Sequence, residues 1–266
     1  MTLARRLCAL LDVDEQGRPG RPYTRHGLDA TFVESIAAFM VQDGVDEVWL
    51  NALPPKASQT STPAPSGPSV KLLFEPLASL ERRVFAPIVA WAPITSPADA
   101  RLLLEFGADR VVVDVNRGGP DPVGFVERIV EATGPDRVCC AVHARRVIDD
   151  KGTAYELVSP SGEGSGINAV SLVDRLTAAG ACEVLLVPVK GGPQQRTMHD
   201  GELIELSAAT LSLPLLAHAD DVEAADIATA LLMGADGVVT RLFSGGRPGF
   251  DEVKRALADY GLPIRS

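Results

Sequence analysis

Eight polar or aromatic side chains stand at the ends of eight short apolar runs in this 266-residue sequence. They are Asp12, Asn51, Trp91, Asp114, His143, Lys190, His218 and Arg241. Imidazoles and carboxylates can pass protons near neutral pH, while arginine and lysine bind a carboxylate or a single phosphate. An indole adds a face on which a planar group can stack. These residue types predict proton-transfer chemistry on a small anionic metabolite.

The histidines carry part of this interpretation. The chain has only four, His26, His143, His199 and His218, and two of them close an apolar run. A histidine and a carboxylate that face each other can divide the roles of base and acid. The alternative for each histidine taken singly is a structural one, a hydrogen-bonded imidazole on the shoulder of a loop.

A metal site is a second use of the same side chains. His143, His218 and an aspartate offer imidazole and carboxylate ligands, which suit Zn²⁺ or Fe²⁺. No short-spaced ligand motif supports such a site, and the four cysteines form no CxxC pair. We therefore expect neither a metal nor a cofactor, and we interpret the cysteines as free thiols of the core.

The elements that must position these residues are apolar runs without polar alternation, which are typical of parallel strands buried on both faces. The predicted strands are Leu7–Val13, Glu47–Asn51, Ala86–Trp91, Arg110–Val115, Arg137–His143, Glu183–Pro188, Leu213–His218 and Gly237–Arg241. The predicted helices between them are Ala30–Val41, Ala98–Phe106, Pro122–Ala132, Ala169–Ala179, Gly201–Leu211, Val222–Leu232 and Asp251–Tyr260. This alternation predicts a single (β/α)8 barrel, and an open doubly wound sheet is the competing fold.

An internal repeat favours the barrel. Related turns introduce the second, fourth, sixth and eighth strands: Gly44-Val-Asp, Gly107-Ala-Asp, Gly180-Ala-Cys and Gly234-Ala-Asp. The first and fifth strands also share a pattern, Arg6-Leu-Cys-Ala-Leu-Leu-Asp and Arg137-Val-Cys-Cys-Ala-Val-His. Two similar halves that close into one barrel explain both observations.

Composition narrows the function classes. The formal net charge of −10 argues against a nucleic-acid partner and against an anionic membrane surface. No apolar run approaches the roughly 18 residues of a membrane helix, and the N-terminus is a poor secretion signal, so we expect a cytoplasmic protein. Length and pattern predict one domain over residues 1–266. The Pro/Ser/Thr-rich segment Pro54–Ser69 predicts a mobile loop, and Thr153–Ser159 predicts one arm of a small hairpin.

Several motifs together resemble one family. They are Arg5-Arg-Leu-Cys-Ala-Leu-Leu-Asp-Val, Gly107-Ala-Asp-Arg-Val, Gly180-Ala-Cys-Glu-Val-Leu-Leu and Ala258-Asp-Tyr-Gly-Leu-Pro-Ile-Arg. With the hairpin after the fifth strand, they resemble HisF, the cyclase subunit of imidazole glycerol phosphate synthase in histidine biosynthesis. The resemblance implies a (β/α)8 barrel, ammonia supplied by a glutaminase partner, and a bis-phosphorylated nucleotide as substrate.

The resemblance also implies an acid/base pair of two aspartates, at the ends of the first and fifth strands. Here these positions hold Asp12 and His143, which we expect to be catalytic. The other six residues at the run ends are expected to bind the substrate: Asn51, Trp91, Asp114, Lys190, His218 and Arg241.

The chain departs from the family at the glycine-rich turns that hold the two phosphates. Those turns are replaced by Ala90-Trp-Ala-Pro, Lys190-Gly-Gly-Pro, Ala217-His-Ala-Asp-Asp and Thr240-Arg-Leu-Phe. Pro93 has no backbone N–H to offer an anion, and Asp220 and Asp221 would repel one. We therefore expect the family's doubly phosphorylated substrate to bind poorly.

At the opposite end of the barrel, Arg6, Glu47, Arg110 and Glu183 match a ring of charged residues in that family. One interpretation is a retained ammonia route with a glutamine amidotransferase subunit docked at this face. The other is a salt-bridged plug, because charges that face inward must be paired.

Two functional hypotheses remain from the sequence. The first is a divergent enzyme with cyclase- or lyase-type acid–base chemistry in specialised metabolism. The second is a non-catalytic barrel that acts as a binding or regulatory subunit, since the second catalytic aspartate and the phosphate turns are absent.

Overall fold

The computed structural model describes residues 5–20, 23–25, 28–30, 32–53, 69–149, 152–159, 162–189, 200–220, 223–241, 249–262 and 264–265. The predicted mobile loop Pro54–Ser69, except for its last residue, lies outside the described residues. The same holds for Lys190 among the predicted substrate-binding residues.

Eight parallel strands close into a barrel. The strands of the described chain are β1 (Arg6–Val13), β2 (Tyr23–Arg25), β3 (Leu28–Ala30), β4 (Glu47–Ala52), β5 (Ile88–Trp91), β6 (Arg110–Asp114), β7 (Val138–Asp149), β8 (Gly152–Val158), β9 (Gly164–Asn168), β10 (Glu183–Pro188), β11 (Leu215–Asp220) and β12 (Gly237–Arg241). The barrel order is β1-β4-β5-β6-β7-β10-β11-β12, and β12 pairs with β1 to complete the circle. The predicted (β/α)8 barrel is confirmed, and the alternative of an open sheet is wrong.

Eight helices alternate with the barrel strands. They are α1 (Val33–Gln42), α2 (Phe74–Leu80), α3 (Pro97–Glu105), α4 (Pro122–Thr133), α5 (Ala169–Ala178), α6 (Gly201–Ala208), α7 (Ala224–Leu232) and α8 (Phe250–Asp259). Short 3-10 turns lie at Val70–Leu73, Val115–Gly118 and Pro135–Arg137. Helix α2 was not among the predicted helices, because it is short, contains Pro76 and follows a Pro/Ser/Thr-rich segment. Its buried Leu77 and Leu80 nevertheless fill the expected place between β4 and β5.

The repeated turns stabilise the strand starts by hydrogen bonds, and we call a turn with such a bond from its aspartate a latch. All four glycines adopt the positive φ that glycine tolerates best: Gly44 (+88°), Gly107 (+106°), Gly180 (+85°) and Gly234 (+115°). In three turns the aspartate two residues later accepts a hydrogen bond from the backbone N–H of the preceding barrel strand. These bonds are Leu7 N to Asp46 Oδ2 (2.7 Å), Ile88 N to Asp109 Oδ2 (2.8 Å) and Leu215 N to Asp236 Oδ2 (3.0 Å).

The fourth turn has the same backbone geometry but lacks the carboxylate. Cys182 N donates to Val138 O (2.9 Å), as Asp46 N donates to Leu7 O (2.9 Å) in the first copy. The thiol of Cys182 is half-buried, and burial raises its pKa to about 11. The position therefore keeps one half of a reciprocal pair of hydrogen bonds. All four cysteines are free thiols, as the sequence indicates.

Alternation along the strands divides the barrel interior into three layers. The middle layer is an apolar inner cluster: Cys8, Leu10, Trp49, Val89, Val112, Cys139, Ala141, Leu185, Val187, Leu216 and Val239. Two residues before this cluster on the first strand stands Arg6, and two residues after it stands Asp12. The same spacing puts charged side chains at the strand starts and the predicted site residues at the strand ends.

The inserted hairpin is confirmed as well. Strand β7 continues beyond the barrel and pairs antiparallel with β8, which pairs with β9. Tyr155 Oη donates to Asp200 Oδ1 (2.9 Å), and Arg146 forms an ion pair with the same carboxylate (2.9 Å). Since Asp200 also caps the N-terminus of α6, one carboxylate fixes the hairpin to that helix.

We predict that Cys182→Asp stabilises the barrel. The new carboxylate would accept a bond from Val138 N, as in the three intact latches, and raise the free energy of unfolding by about 0.5–1.5 kcal/mol. Urea unfolding at pH 7 measures this change. Cys182→Ser is the matched control, because its hydroxyl is too short to complete the latch. Equal or lower stability of the aspartate variant would show that the latch does not transfer to this turn.

Candidate active site

The structure gathers seven of the eight predicted site residues at one end of the barrel, the mouth. Asp12 is the register partner of Asn51, and Asn51 is that of Trp91, so three successive strands place them side by side. Each lies two residues beyond a member of the inner cluster on its own strand, which directs it inward. Asp114, His143, His218 and Arg241 follow the same rule on four other strands.

The carboxylate of Asp12 accepts three hydrogen bonds from two residues. Arg241 donates from Nε to Asp12 Oδ2 (2.9 Å) and from Nη2 to Asp12 Oδ1 (2.9 Å), which is a bidentate fork. Asn51 Nδ2 donates to Asp12 Oδ1 (2.7 Å). Asn51 and Arg241, both expected to bind substrate, therefore orient the carboxylate of Asp12 in this arrangement.

Arg241 binds a second carboxylate. Its Nη1 donates to Asp220, the register partner of Arg241 on β11. Burial disfavours the charge of Arg241, but its hydrogen bonds to Asp12 and the charges of both aspartates outweigh burial and raise its pKa. Arg241 could reach an anionic ligand only by releasing one of these partners.

His218 is the least satisfied polar group of the mouth. It is 5% exposed, and neither of its ring nitrogens has a hydrogen-bond partner within the part of the chain that the structure describes. Asp220 Oδ1 lies 3.6 Å from Nε2 of His218. Burial lowers the pKa of His218 to about 4, although Asp220 acts in the opposite direction. A neutral, unpaired imidazole in such a place costs about 1–3 kcal/mol.

His143 has a carboxylate beside it. Its Nε2 lies 4.0 Å from Asp114 Oδ2, and both side chains are buried. Burial lowers the pKa of His143 below its ordinary value; Asp114 raises it, and Arg117 adds to the lowering. At pH 7 His143 is neutral and accepts a proton rather than donating one.

Trp91 lies close to both histidines. Its ring centroid lies 5.7 Å from that of His218 in an edge-on arrangement and 6.2 Å from that of His143 in a tilted one. Trp91 also packs on the inner cluster and remains partly exposed. The indole therefore fills space in the mouth and presents a stacking surface beside both imidazoles.

His218 interacts electrostatically with both predicted catalytic residues, Asp12 and His143. The mouth thus places two neutral imidazoles near three carboxylates, an arrangement that can accept and return a proton. Arg117 was not predicted as a neighbour of this group, and Asp220 was expected only as a repulsive charge. The sequence spacing could have indicated both residues, because Arg117 follows Asp114 by three residues and Asp220 follows His218 by two.

The opposite end of the interior holds a closed charge ring of Arg6, Glu47, Arg110 and Glu183. Each arginine binds both carboxylates: Arg6 to Glu47 (2.8 Å) and Glu183 (2.9 Å), and Arg110 to Glu47 (2.6 Å) and Glu183. Trp49 Nε1 also donates to Glu47 Oε2 (3.1 Å) from the inner cluster. Burial opposes the charge of Glu47, but Arg110 and Arg6 lower its pKa below the ordinary value.

Two other features, a metal-binding cluster and a membrane-spanning helix, are not found among the described residues. No group of three or more histidines, cysteines or acidic residues there is arranged to hold a metal ion. No helix in those ranges has the length and apolar character needed to cross a membrane.

Comparison with known proteins finds relatives that align with the whole chain, although no family model matches it. Subunit HisF of imidazole glycerol phosphate synthase from Bifidobacterium adolescentis is 27% identical over 270 residues, covering 100% of both chains. The same subunit from Streptomyces griseus is 29% identical over 268 residues, again covering 100% of both. That from Beutenbergia cavernae is 31% identical over 198 residues, which cover 72% of this chain and 75% of the relative.

We predict that His218 makes stability depend on pH. Between pH about 6.5 and about 4, the unfolded chain binds a proton on this histidine that the folded chain excludes. The free energy of unfolding therefore falls as the pH drops through this window. Above about pH 6.5 this loss of stability is absent. Urea unfolding from pH 7.5 to 4 measures the slope, and His218→Phe should reduce it.

His143 adds a slope of the same sign, so the difference between wild type and His218→Phe isolates His218. The chemical shift of the ring Hε1 proton gives its pKa directly. A value at or above the ordinary 6.5 would contradict the prediction.

Proposed function

The chain belongs to the HisF family of imidazole glycerol phosphate synthase subunits, and from this premise we propose that it is an enzyme of specialised metabolism. Its reaction is acid–base chemistry of the cyclase or lyase type on a small anionic metabolite, distinct from histidine biosynthesis. The observation that carries the proposal is the buried pair of His143 and Asp114, 4.0 Å apart. It stands at a strand end where the resemblance implies a catalytic group.

His143 is the proton acceptor in this proposal. Its pKa is lowered by burial, so the imidazole is neutral at pH 7 and can take a proton from a bound substrate. Asp114 then lies close enough to stabilise the imidazolium that forms, as a carboxylate does for an adjacent histidine base. Arg117, 3.8 Å from Asp114, limits how strongly that carboxylate attracts the proton.

Asp12 is the second catalytic group. Three hydrogen bonds from Arg241 and Asn51 fix its carboxylate in one orientation. Such fixation suits a group that must meet a substrate atom in a defined direction. For Asp12 to take up a proton, the fork of Arg241 has to loosen, which links proton transfer to a movement of that arginine.

The anionic part of the substrate is assigned to the outer part of the mouth. Arg241 is already shared between Asp12 and Asp220, so it is a weak candidate for binding an anion. Lys190 remains the candidate cation for this task, and it lies outside the described residues. A doubly phosphorylated substrate is disfavoured, because Trp91 and Asp220 stand where the resemblance implies glycine turns.

A non-catalytic binding or regulatory barrel is the second candidate. The network of Asp12, Arg241 and Asp220 favours it, since fully paired charges can serve structure alone. The ring of His218, which lacks hydrogen bonds among the described residues, favours a mouth that binds a ligand, because a purely structural mouth would be expected to satisfy it.

A glutamine amidotransferase subunit is the proposed partner at the face with the charge ring. An open cavity of about 490 Å³ there is lined partly by Arg6, Arg110 and Glu183. Phe85, which is 98% exposed, precedes β5 at the same end and is a suitable contact for a protein. The closed ring and the buried Trp49 behind it support a plug more than an open ammonia route.

We predict that this protein does not bind the bis-phosphorylated nucleotide of histidine biosynthesis. Its phosphates would face Pro93, which has no N–H, and the carboxylate of Asp220. Calorimetry at ordinary ionic strength measures binding, with the Streptomyces griseus HisF subunit as the control. Tight binding, or rescue of a strain that lacks the histidine-pathway cyclase, would place the protein in that pathway.

We predict that Asp12→Asn and His143→Ala each lower turnover by at least about a hundredfold, the usual scale for a positioned acid or base. Steady-state kinetics on a substrate found by metabolite screening measure the loss. Since His143 must be neutral to act and burial lowers its pKa, the fall of activity on the acid side should set in at a pH below the ordinary histidine pKa of 6.5. Arg255→Gln, at an exposed position of α8, is the control. Near-full turnover in both mouth variants would refute the catalytic assignment.

A further inference from the structure

The imidazole of His218 lies at the buried end of the mouth. His218 is 5% exposed, and both its ring nitrogens lack hydrogen bonds among the described residues. A neutral imidazole carries one donor and one acceptor. These two nitrogens point away from each other, so a small planar ligand can bond to one of them at a time, with an acceptor facing the N–H or a donor facing the other nitrogen.

The surface beside His218 is flat and aromatic. The centroid of Trp91 lies 5.7 Å from that of His218, with the two rings perpendicular. The ring of His143 is tilted by 49° to the indole, with its centroid 6.2 Å from that of Trp91. A planar group can lie against Trp91 with its edge toward His218, whereas a tetrahedral phosphate offers no face to stack.

The charges around this place are already committed. Arg241 is divided between Asp12 and Asp220, and Arg117 lies 3.8 Å from Asp114. Within the described mouth this leaves three carboxylates and two arginines, with both histidines neutral. An anionic group at this depth would meet an excess of negative charge, and both described arginines of the mouth already lie beside carboxylates.

We propose that the end of the substrate that enters the mouth is an uncharged planar group that carries a hydrogen-bond donor and acceptor, such as an azole ring. It stacks on Trp91 and bonds to His218, while the anionic part of the metabolite stays at the rim. This inference rests on the proposed function, because it specifies the ligand of the same site.

The two tryptophans give a direct binding assay. Trp91 and Trp49 are the only tryptophans, so the ¹⁵N-labelled chain gives two indole N–H signals, which Trp91→Phe assigns. Trp49 is fully buried and bonds to Glu47 at the far end of the interior, so its signal is an internal reference. The probes are pyrazole, which is a neutral ring with a donor and an acceptor, thiophene, which is a ring without them, and inorganic phosphate.

Pyrazole should shift the Trp91 signal in a saturable way and leave that of Trp49 unchanged. Thiophene should bind at least about threefold more weakly, since it cannot bond to His218. Phosphate should leave the Trp91 signal in place at the same concentrations. In His218→Phe, the affinity for pyrazole should fall to that for thiophene.

An unchanged Trp49 signal verifies that the His218→Phe barrel is folded, and His218→Asn serves if that variant fails. Equal pyrazole affinity in wild type and variant would overturn the inference. So would a saturable phosphate shift at lower concentration, or no pyrazole shift at all. These outcomes are separate from the proposed reaction, because turnover by Asp12 and His143 variants is measured independently of binding.

Discussion

The interior of a closed eight-stranded barrel is narrow and dry, so each charge that points inward must find its partner inside. The charge ring of Arg6, Glu47, Arg110 and Glu183 satisfies this requirement at the strand starts. The group of Asp12, Arg241 and Asp220 satisfies it at the strand ends. Between them the inner cluster excludes water, and two-residue alternation fixes which side chains belong to each layer. Strand register places further mouth residues, such as Asn51 and Trp91, beside these pairings.

The sequence was sufficient to predict the barrel and the residues at its mouth. Apolar runs located all eight strands to within two residues at their starts, and strand-end positions such as Asp12 and His143 then followed from the convergence of parallel strands. The choice of partners could not be predicted, because the fork of Arg241 on Asp12 joins residues 229 positions apart through side-chain rotamers. The lowered pKa of His218 was equally hidden, since it depends on burial by surrounding elements. Helix α2 was missed for a local reason, its shortness and its internal proline.

The two candidate functions, an enzyme and a non-catalytic barrel, assign different roles to the hydrogen bonds around Asp12. For a structural barrel, the bonds of Arg241 and Asn51 to Asp12 are an end in themselves. For an enzyme, they are preorganisation, because a carboxylate already fixed by donors needs no reorientation when the substrate arrives. The mouth contains both kinds of group. Asp12 accepts three hydrogen bonds, whereas His218 has no hydrogen-bond partner among the described residues, and this difference is more consistent with a mouth that binds a ligand.

The latches of Asp46, Asp109 and Asp236 all lie at the strand starts, on the far side of the inner cluster from the mouth. Foldability and chemistry are therefore encoded in different parts of the same strands. In a lineage with this layout, a tryptophan can replace a glycine at position 91, or a histidine an aspartate at position 143, without changing the latches at the strand starts. Such modularity lowers the evolutionary barrier to a new substrate, since substitutions at one end need few compensating changes at the other. Descendants of a single ancestral barrel can then diverge in chemistry long before they diverge in architecture.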